Sequence, residues 1–220
     1  MVIAVDGPGG VGKSTVAGRV AEALGLPHLD TGSTYRAAGL TALRKGAALD
    51  DGDAVLAALV GVDIAIVEGL VRIDGVDVTE DLRSDEVTNA SSVVATHPDV
   101  RERIVALQQA WVVKRGGSAV VEGRDIGTVV FPDAPVKIYL TARPEIRAAR
   151  RSGDAEAADK SKDQIAAELA ARDHTDSSRK ASPLRPAEDA EIIDTSDLSI
   201  DEVVERVLEL VDAGRSTLYE

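Results

Sequence analysis

Short apolar runs along the chain alternate with segments in which apolar residues recur every three or four positions. The first run, Met1–Val5, predicts a buried strand, and the segment Thr15–Leu24 has the spacing of a helix. The same alternation predicts further strands at 27–29, 118–121, 136–140 and 191–194, and further helices at 34–44, 51–60, 85–95, 98–114, 143–151, 163–172 and 200–211. Because strands that alternate with helices form parallel sheets with right-handed crossovers, we expect an α/β fold.

One stretch departs from this alternation. Between residues 62 and 80, short β-type runs follow one another directly, at 62–67, 70–73 and 76–78. Asp74-Gly75 between two such runs is a hairpin signal. We therefore predict a small antiparallel insert within the α/β chain.

Composition and charge narrow the class of protein. Hydrophobic residues make up 44% of the 220, but aromatic residues only 2%, so the core must consist of Val, Leu, Ile and Ala. The absence of cysteine excludes disulfides and thiolate zinc sites. A net charge of −13 opposes nucleic-acid binding, and no apolar run approaches the roughly 20 residues of a membrane span, which predicts a soluble cytoplasmic protein. Ten of the 25 Lys and Arg residues nevertheless lie between Arg143 and Arg185, which indicates either a small anionic ligand or solvated helix faces.

A glycine-rich segment after the first predicted strand carries the most specific signal. It matches the phosphate-loop pattern G-x-x-x-x-G-K-[ST] in full, with a strand before it and a helix after it. Glycines turn successive N–H groups towards an anion, Lys13 reaches the β- and γ-phosphates of ATP, and the Ser14 hydroxyl is suited to Mg²⁺. The predicted nucleotide-binding residues are Gly7, Pro8, Gly9, Gly10, Val11, Gly12, Lys13, Ser14 and Thr15.

A phosphate loop alone does not distinguish a kinase from a GTPase switch or a motor. The Asn-Lys-x-Asp motif that reads guanine is missing, and the chain is short for a motor. A small-molecule kinase needs a second anion site, and two arginines are candidates: Arg36, early in a predicted helix, and Arg124, beside Asp125 at the carboxyl end of a predicted strand. Arg36 is otherwise an ordinary surface arginine.

Three segments together closely resemble bacterial cytidylate kinases of the nucleoside monophosphate kinase family, over about residues 1–213. They are Asp-Thr-Gly-x-x-Tyr-Arg (30–36), Glu-Gly-Arg-Asp-Ile-Gly-Thr-Val-Val-Phe-Pro-Asp-Ala-Pro (122–135) and the cluster from Arg172 to Leu184. Residues 89–101 resemble the family's base-reading helix pair. The resemblance implies a P-loop type parallel sheet flanked by helices, with an antiparallel monophosphate-binding insert at about 62–96 and a helical lid at about 150–175, all within one kinase domain spanning 1–214. Residues 215–220 after this domain are predicted to form a flexible tail.

The resemblance also implies roles for individual residues. It implies that Thr31, Ser92, Arg101 and Asp125 surround the cytosine, that Arg36 and Arg124 hold the acceptor phosphate, and that Arg172 and Asp176 contact the ribose. Tyr35 and Arg179 complete the predicted acceptor site, and Lys13, Arg150, Arg172 and Arg179 are the predicted catalytic residues. ATP with Mg²⁺ is the expected phosphoryl donor, CMP and dCMP are the expected acceptors, and a monomer is expected.

Other interpretations stay open at this stage. Read without the resemblance, Ser92 is a helix hydroxyl that bonds back to its own backbone, and Arg101 is a solvated helix arginine. A kinase for another acceptor, such as a different nucleotide or shikimate, is a second hypothesis. A nucleotide-dependent switch without transfer activity is a third, although a switch needs no second phosphate clamp.

Overall fold

A computed structural model describes residues 1–67, 69–153, 160–179 and 181–218, with side chains as far as residue 213. The strands are β1 (Val2–Asp6), β2 (His28–Asp30), β3 (Ile64–Val67), β4 (Leu70–Ile73), β5 (Val76–Asp77), β6 (Ala119–Gly123), β7 (Val136–Thr141) and β8 (Glu191–Asp194). The helices are α1 (Lys13–Leu24), α2 (Thr31–Arg44), α3 (Gly52–Leu59), α4 (Asp85–Val94), α5 (Pro98–Val113), α6 (Pro144–Arg151), α7 (Lys162–Ser178) and α8 (Ile200–Leu218).

The chain forms two compact units. The first contains Met1–Leu29 and the chain from Val112 onward, and the second contains Asp30–Trp111. The second unit is wider than the insert predicted at 62–96. The tip of the predicted lid includes residues 154–159, which lie outside the described residues.

The first unit is built on the parallel sheet that the sequence predicts. In the described residues its strand order is β2-β6-β1-β7-β8, and β1 pairs in parallel with both β6 and β7. The register sets Asp6 beside Gly123, so the loops after β1 and β6 begin at the same edge of the sheet. Aliphatic side chains of the strands pack with α1 and α8 in a buried core that includes Ile3, Val5, Val16, Val20, Ile138, Leu140, Ile193, Val203 and Val207.

The second unit combines helices with the predicted antiparallel element. Strands β3, β4 and β5 pair antiparallel in that order, with Asp74 and Gly75 in the turn between the last two. Helices α2 and α4 approach closely at Gly39, where a Cβ atom would lie 3.0 Å from the backbone nitrogen of Ser91. Trp111 is buried and donates from Nε1 to the carbonyl of Ile66 over 2.9 Å, so its role is packing.

Two helices extend beyond their predicted ends. Helix α7 continues six residues past Arg172 to Ser178, because tertiary contacts of Asp176 outweigh the weak helix propensity of its Asp, Thr and Ser residues. Helix α8 continues to Leu218 instead of ending at Val211, so the tail predicted at 215–220 begins within a helix. Residues 219 and 220 lie outside the described residues.

Candidate active site

The phosphate loop joins β1 to α1 in a conformation that only glycine adopts readily at several positions. Gly7 has φ +148°, and a Cβ atom there would lie 2.2 Å from the carbonyl oxygen of Leu140. Gly12 takes the N-cap position of α1 with φ +93°, without a side chain to cap the helix, and no acidic residue lies in the first turn. The N–H groups and positive dipole end of α1 therefore suit a phosphate, and the buried Lys13 donates from Nζ to the Pro8 carbonyl across the loop at 2.7 Å.

A chain of polar contacts fixes the first hydroxyl of α1. Ser14 donates from Oγ to Oε2 of Glu122 over 2.9 Å, and Nε2 of His28 lies 3.0 Å from Oε1 of the same carboxylate. Glu122 is 2% exposed and lies in β6. Hydroxyl and carboxylate oxygens are the donors that Mg²⁺ prefers, so the residues present fit a magnesium ion bound with nucleotide phosphates.

Asp6 ends β1 and organises the segment that follows Asp125. Its carboxylate accepts hydrogen bonds from the N–H groups of Ile126 and Gly127, each 2.8 Å long, and these residues begin a π-helical turn, Ile126–Val130. Burial raises the pKa of Asp6 from 3.8 to about 6, against the lowering effect of the two N–H groups. Asp125 itself is 4% exposed and directly follows β6, as predicted.

Two predicted site arginines converge on one buried carboxylate. Asp176 in α7 accepts from Nε of Arg124 at 2.9 Å, and a terminal nitrogen of Arg179 lies 3.3 Å from its other oxygen. Arg124 also donates to the Gly7 carbonyl at 3.1 Å, which ties this cluster to the phosphate loop. Burial raises the pKa of Asp176, but the charges of Arg124 and Arg179 lower it by more than burial raises it. The pKa of Asp176 therefore lies below its ordinary value. Arg172 lies one helical turn before Asp176 on α7.

Two arginines of α6 bond to the phosphate loop and to the residue that follows β8. Arg147 donates from Nε to the carbonyl of Gly9 at 2.6 Å and pairs with Asp173 of α7 at 2.5 Å. Arg150 donates to both the hydroxyl and the carbonyl of Thr195, at 2.9 and 2.6 Å. Arg150, a predicted catalytic residue, is therefore hydrogen-bonded to Thr195 in this structure.

In the second unit, the first turns of α2 carry three predicted acceptor residues. Asp30 caps the helix by accepting from the Gly32 N–H at 2.8 Å, and its other oxygen accepts from Arg36 at 2.6 Å. Thr31 is buried, whereas Tyr35 and Arg36 are half-buried. The pairing of Arg36 with a cap carboxylate fixes its guanidinium within its own helix turn.

Arg101 and Ser92 differ in how the structure holds them. Arg101 is 3% exposed and its guanidinium carbon lies 5.3 Å from the centre of the Tyr35 ring, so it is not a solvated helix arginine. Ser92 is half-buried and donates from Oγ to the Thr88 carbonyl at 3.2 Å, which is the backbone bond that the alternative interpretation predicts. The structure thus brings Arg101 and Tyr35 together and leaves Ser92 bonded within α4.

Some residues of these clusters have no counterpart among the sequence predictions. Thr195 follows β8 and accepts from Arg150, and its single hydroxyl proton lies within reach of the carbonyls of Thr141 and Val11, at 3.1 and 3.2 Å. Its place at the carboxyl end of a predicted strand was a usable signal. Asp173 belongs to the cluster because it pairs with Arg147, 26 residues away in sequence, and no local pattern in the sequence indicates this pairing.

The described residues contain no group of three or more His, Asp or Glu side chains arranged to hold a metal ion. No helix in the described ranges combines the length and the apolar character that crossing a membrane requires.

The parallel sheet, the glycine loop and the lysine at the start of α1 define a P-loop nucleotide-binding protein. A gluconokinase from Sinorhizobium meliloti 1021 shares this fold, with a TM-score of 0.55 and 14% identity over 99% of this chain and 95% of its own. The profile of the cytidylate kinase family matches residues 3–213. Cytidylate kinases from Pelotomaculum thermopropionicum and Rhodococcus opacus are 50% and 49% identical, covering 97% and 98% of this chain and 96% of each relative. The chain belongs to the cytidylate kinase family.

Proposed function

We propose that this protein transfers the γ-phosphoryl group of ATP to CMP or dCMP, which yields ADP and CDP or dCDP. The observation that carries the proposal is the family match over residues 3–213, which spans an intact phosphate loop and every predicted site residue. The curated relatives that match along almost the whole chain are cytidylate kinases. The proposed donor site is the phosphate loop, with the ATP phosphates at the N-terminus of α1.

The transfer needs little covalent help from the protein. An oxygen of the CMP phosphate forms a bond to the γ-phosphorus while the bond between that phosphorus and the leaving oxygen of ADP breaks. The acceptor is already an oxyanion, so no general base is required, and the protein contributes positioning and charge neutralisation. In this proposal Lys13 binds the β- and γ-phosphates, while Arg124 and Arg179 neutralise charge on the acceptor phosphate and the transferring group.

Magnesium would be held through the Ser14 hydroxyl, with Glu122 oriented towards the same position. The hydrogen bond of 2.9 Å between these residues supports this assignment. A bound Mg²⁺ would neutralise charge on the β- and γ-phosphates. His28 contacts the same carboxylate and limits its rotation.

Cytosine is proposed to be recognised by Asp125, Ser92 and Arg101. Its exocyclic amine needs an acceptor, for which Asp125 and Ser92 are the candidates, and its ring nitrogen or carbonyl needs a donor, for which Arg101 is the candidate. Uracil presents a carbonyl where cytosine presents the amine, so the wrong base would leave a buried polar group unpaired. The near-complete burial of Arg101 and its contact with Tyr35 support a fixed recognition site.

The remaining roles follow the same family pattern. We assign Thr31 to the cytosine, Arg36 to the acceptor phosphate, Arg172 and Asp176 to the ribose, and Arg150 to the transferring group. A net charge of −13 supports small nucleotides over nucleic-acid polymers as substrates. A monomer that acts in the cytoplasm stays a prediction, and gel filtration tests the oligomeric state.

The proposal is tested by measuring ADP release from ATP and Mg²⁺ with CMP, dCMP, UMP, AMP, GMP and shikimate supplied separately. We expect turnover with CMP and dCMP to dominate. A preference for another acceptor would contradict the cytosine-reading scheme while leaving a P-loop kinase. ATP binding without turnover on any acceptor would favour the switch.

A further inference from the structure

Gln108 is a fully buried amide in the second unit that the proposed site does not use. It is 0% exposed, and its Nε2 donates to Oγ1 of Thr34 over 2.8 Å. Thr34 in turn donates its hydroxyl proton to the carbonyl of Thr31 over 2.6 Å. Because a hydroxyl has one proton, Thr34 has none left to donate to Gln108, so the amide must present its N–H to Thr34. The orientation of the Gln108 amide is therefore fixed.

A second contact joins the same two helices. Arg101 and Gln108 are seven residues apart on α5 and so lie on one face, two turns apart. Arg101 lies against the ring of Tyr35, which neighbours Thr34 in sequence. Helix α5 is thereby fastened to the start of α2 at adjacent residues, and that start carries the proposed acceptor residues Thr31 and Tyr35.

Stability alone does not explain an amide at this position. Oε1 of Gln108 is buried and accepts no hydrogen bond from any residue that the structure describes. A buried amide that meets only part of its hydrogen-bonding capacity costs stability, and an apolar side chain of similar size would fill the space without that cost. The gain from Gln108 therefore lies in the directed bond to Thr34.

We propose that Gln108 is a positioning residue for acceptor recognition. Through Thr34 it fixes the start of α2, and with it Thr31 and Tyr35, relative to Arg101 on its own helix. This inference rests on the proposed function, because it assigns Gln108 to the acceptor base site of that reaction. It predicts that Gln108 governs the affinity and selectivity for the acceptor without affecting ATP.

The first test replaces Gln108 with methionine, which has a similar length and no hydrogen-bonding amide. We expect Q108M to raise KM for CMP, and the calorimetric Kd for CMP without ATP, by about fivefold to tenfold, the effect of one lost hydrogen bond. The preference for CMP over UMP in kcat/KM should narrow, whereas KM for ATP and kcat should change less than about twofold. The exposed neighbour offers a matched control, since Q109M makes the same substitution one position along the helix and should alter none of these values.

The second test uses the partner hydroxyl. T34V removes the hydroxyl and should reproduce the effect of Q108M. T34S keeps the hydroxyl and should have the same KM for CMP as the unmodified protein. The double variant T34V/Q108M should be no worse than either single variant, because both remove the same link. A lower melting temperature in Q108M with unchanged KM, Kd and base preference would overturn the inference and leave a structural role. If the unmodified protein neither binds nor phosphorylates CMP, the proposed function fails as well, so the two failures are distinguishable.

Discussion

Asp176 offers the sharpest test of how the first unit balances its charges, because two arginines share its buried carboxylate. The side chains of Asp176, Arg124 and Arg179 are 9%, 18% and 6% exposed. D176N keeps the shape of the residue and removes its charge, so both guanidinium groups lose this carboxylate. Removing one partner of a buried ion pair costs about 3–5 kcal/mol, and the remaining amide oxygen places this case near 3 kcal/mol.

That free energy converts into a measurable melting shift. For a chain of 220 residues, 1 kcal/mol corresponds to about 2–4 °C, so D176N should melt about 6–12 °C lower in a thermal scan at pH 7. The control is D197N, which removes an equally well-formed pair with Arg143, at 2.7 Å to each oxygen, but with side chains 45% and 77% exposed. Exposed pairs contribute about 0–1 kcal/mol, so D197N should lose no more than about 4 °C.

The pH dependence separates charge from shape. The folded pKa of Asp176 lies below its unfolded value because the arginine charges outweigh burial, so the folded protein binds fewer protons at this site. Its stabilising effect is then fully present above the unfolded pKa of about 4 and is lost as the pH falls through the folded pKa. The melting difference between wild type and D176N should shrink below about pH 4. Equal losses in D176N and D197N, or a difference that persists unchanged at pH 3, would refute this reasoning.

Three further predictions concern the same unit. R179A should lower kcat at least a hundredfold in the ADP-release assay, as expected for an arginine that neutralises the transferring phosphoryl group. It should also lower the melting temperature by several degrees, because Asp176 loses a partner. A near-normal kcat would assign the catalytic role to another arginine. E122Q should raise the Mg²⁺ concentration for half-maximal rate about tenfold, since the carboxylate orients Ser14; an unchanged Mg²⁺ dependence would contradict this. The raised pKa of Asp6, about 6, means that the folded state keeps a proton that the unfolded state releases. Wild-type stability should therefore fall by about 2 kcal/mol between pH 4 and pH 6, a slope that D6N should lack in denaturant titrations.

The conformation of the phosphate loop was predictable because its signals are local. The strand, the glycines, Lys13 and the helix follow one another within 24 residues, and each has a direct conformational meaning. The position of Arg124 and Asp125 after β6 was predictable for the same reason, since the carboxyl end of a strand can be read from its apolar pattern. The structure confirms where these residues lie in the fold, and their binding roles stay predictions.

The partners of the site residues were not predictable, because they come from distant parts of the chain. Arg124 pairs with Asp176 across 52 residues, and Arg147 reaches the Gly9 carbonyl across 138. The end of α7 was misjudged for this reason, since the contacts of Asp176 hold a segment of low helix propensity in a helix. Gln108 gave no signal at all, because a glutamine in a helix is typical of a solvated face.

The two units hold their proposed ligands by different physical means, and this difference has a consequence for substitutions. In the first unit, the groups that would meet the phosphates are backbone N–H groups whose directions positive-φ glycines set, and Arg124 and Arg147 contact the loop only through its carbonyls. In the second unit, the proposed base site depends on side chains that hold one another, such as Gln108 on Thr34 and Arg101 on Tyr35. Substitutions in the packing of α2 against α5 should therefore change KM for the acceptor while KM for ATP stays constant. Acceptor specificity should accordingly be easier to alter by substitution than nucleotide binding at the phosphate loop.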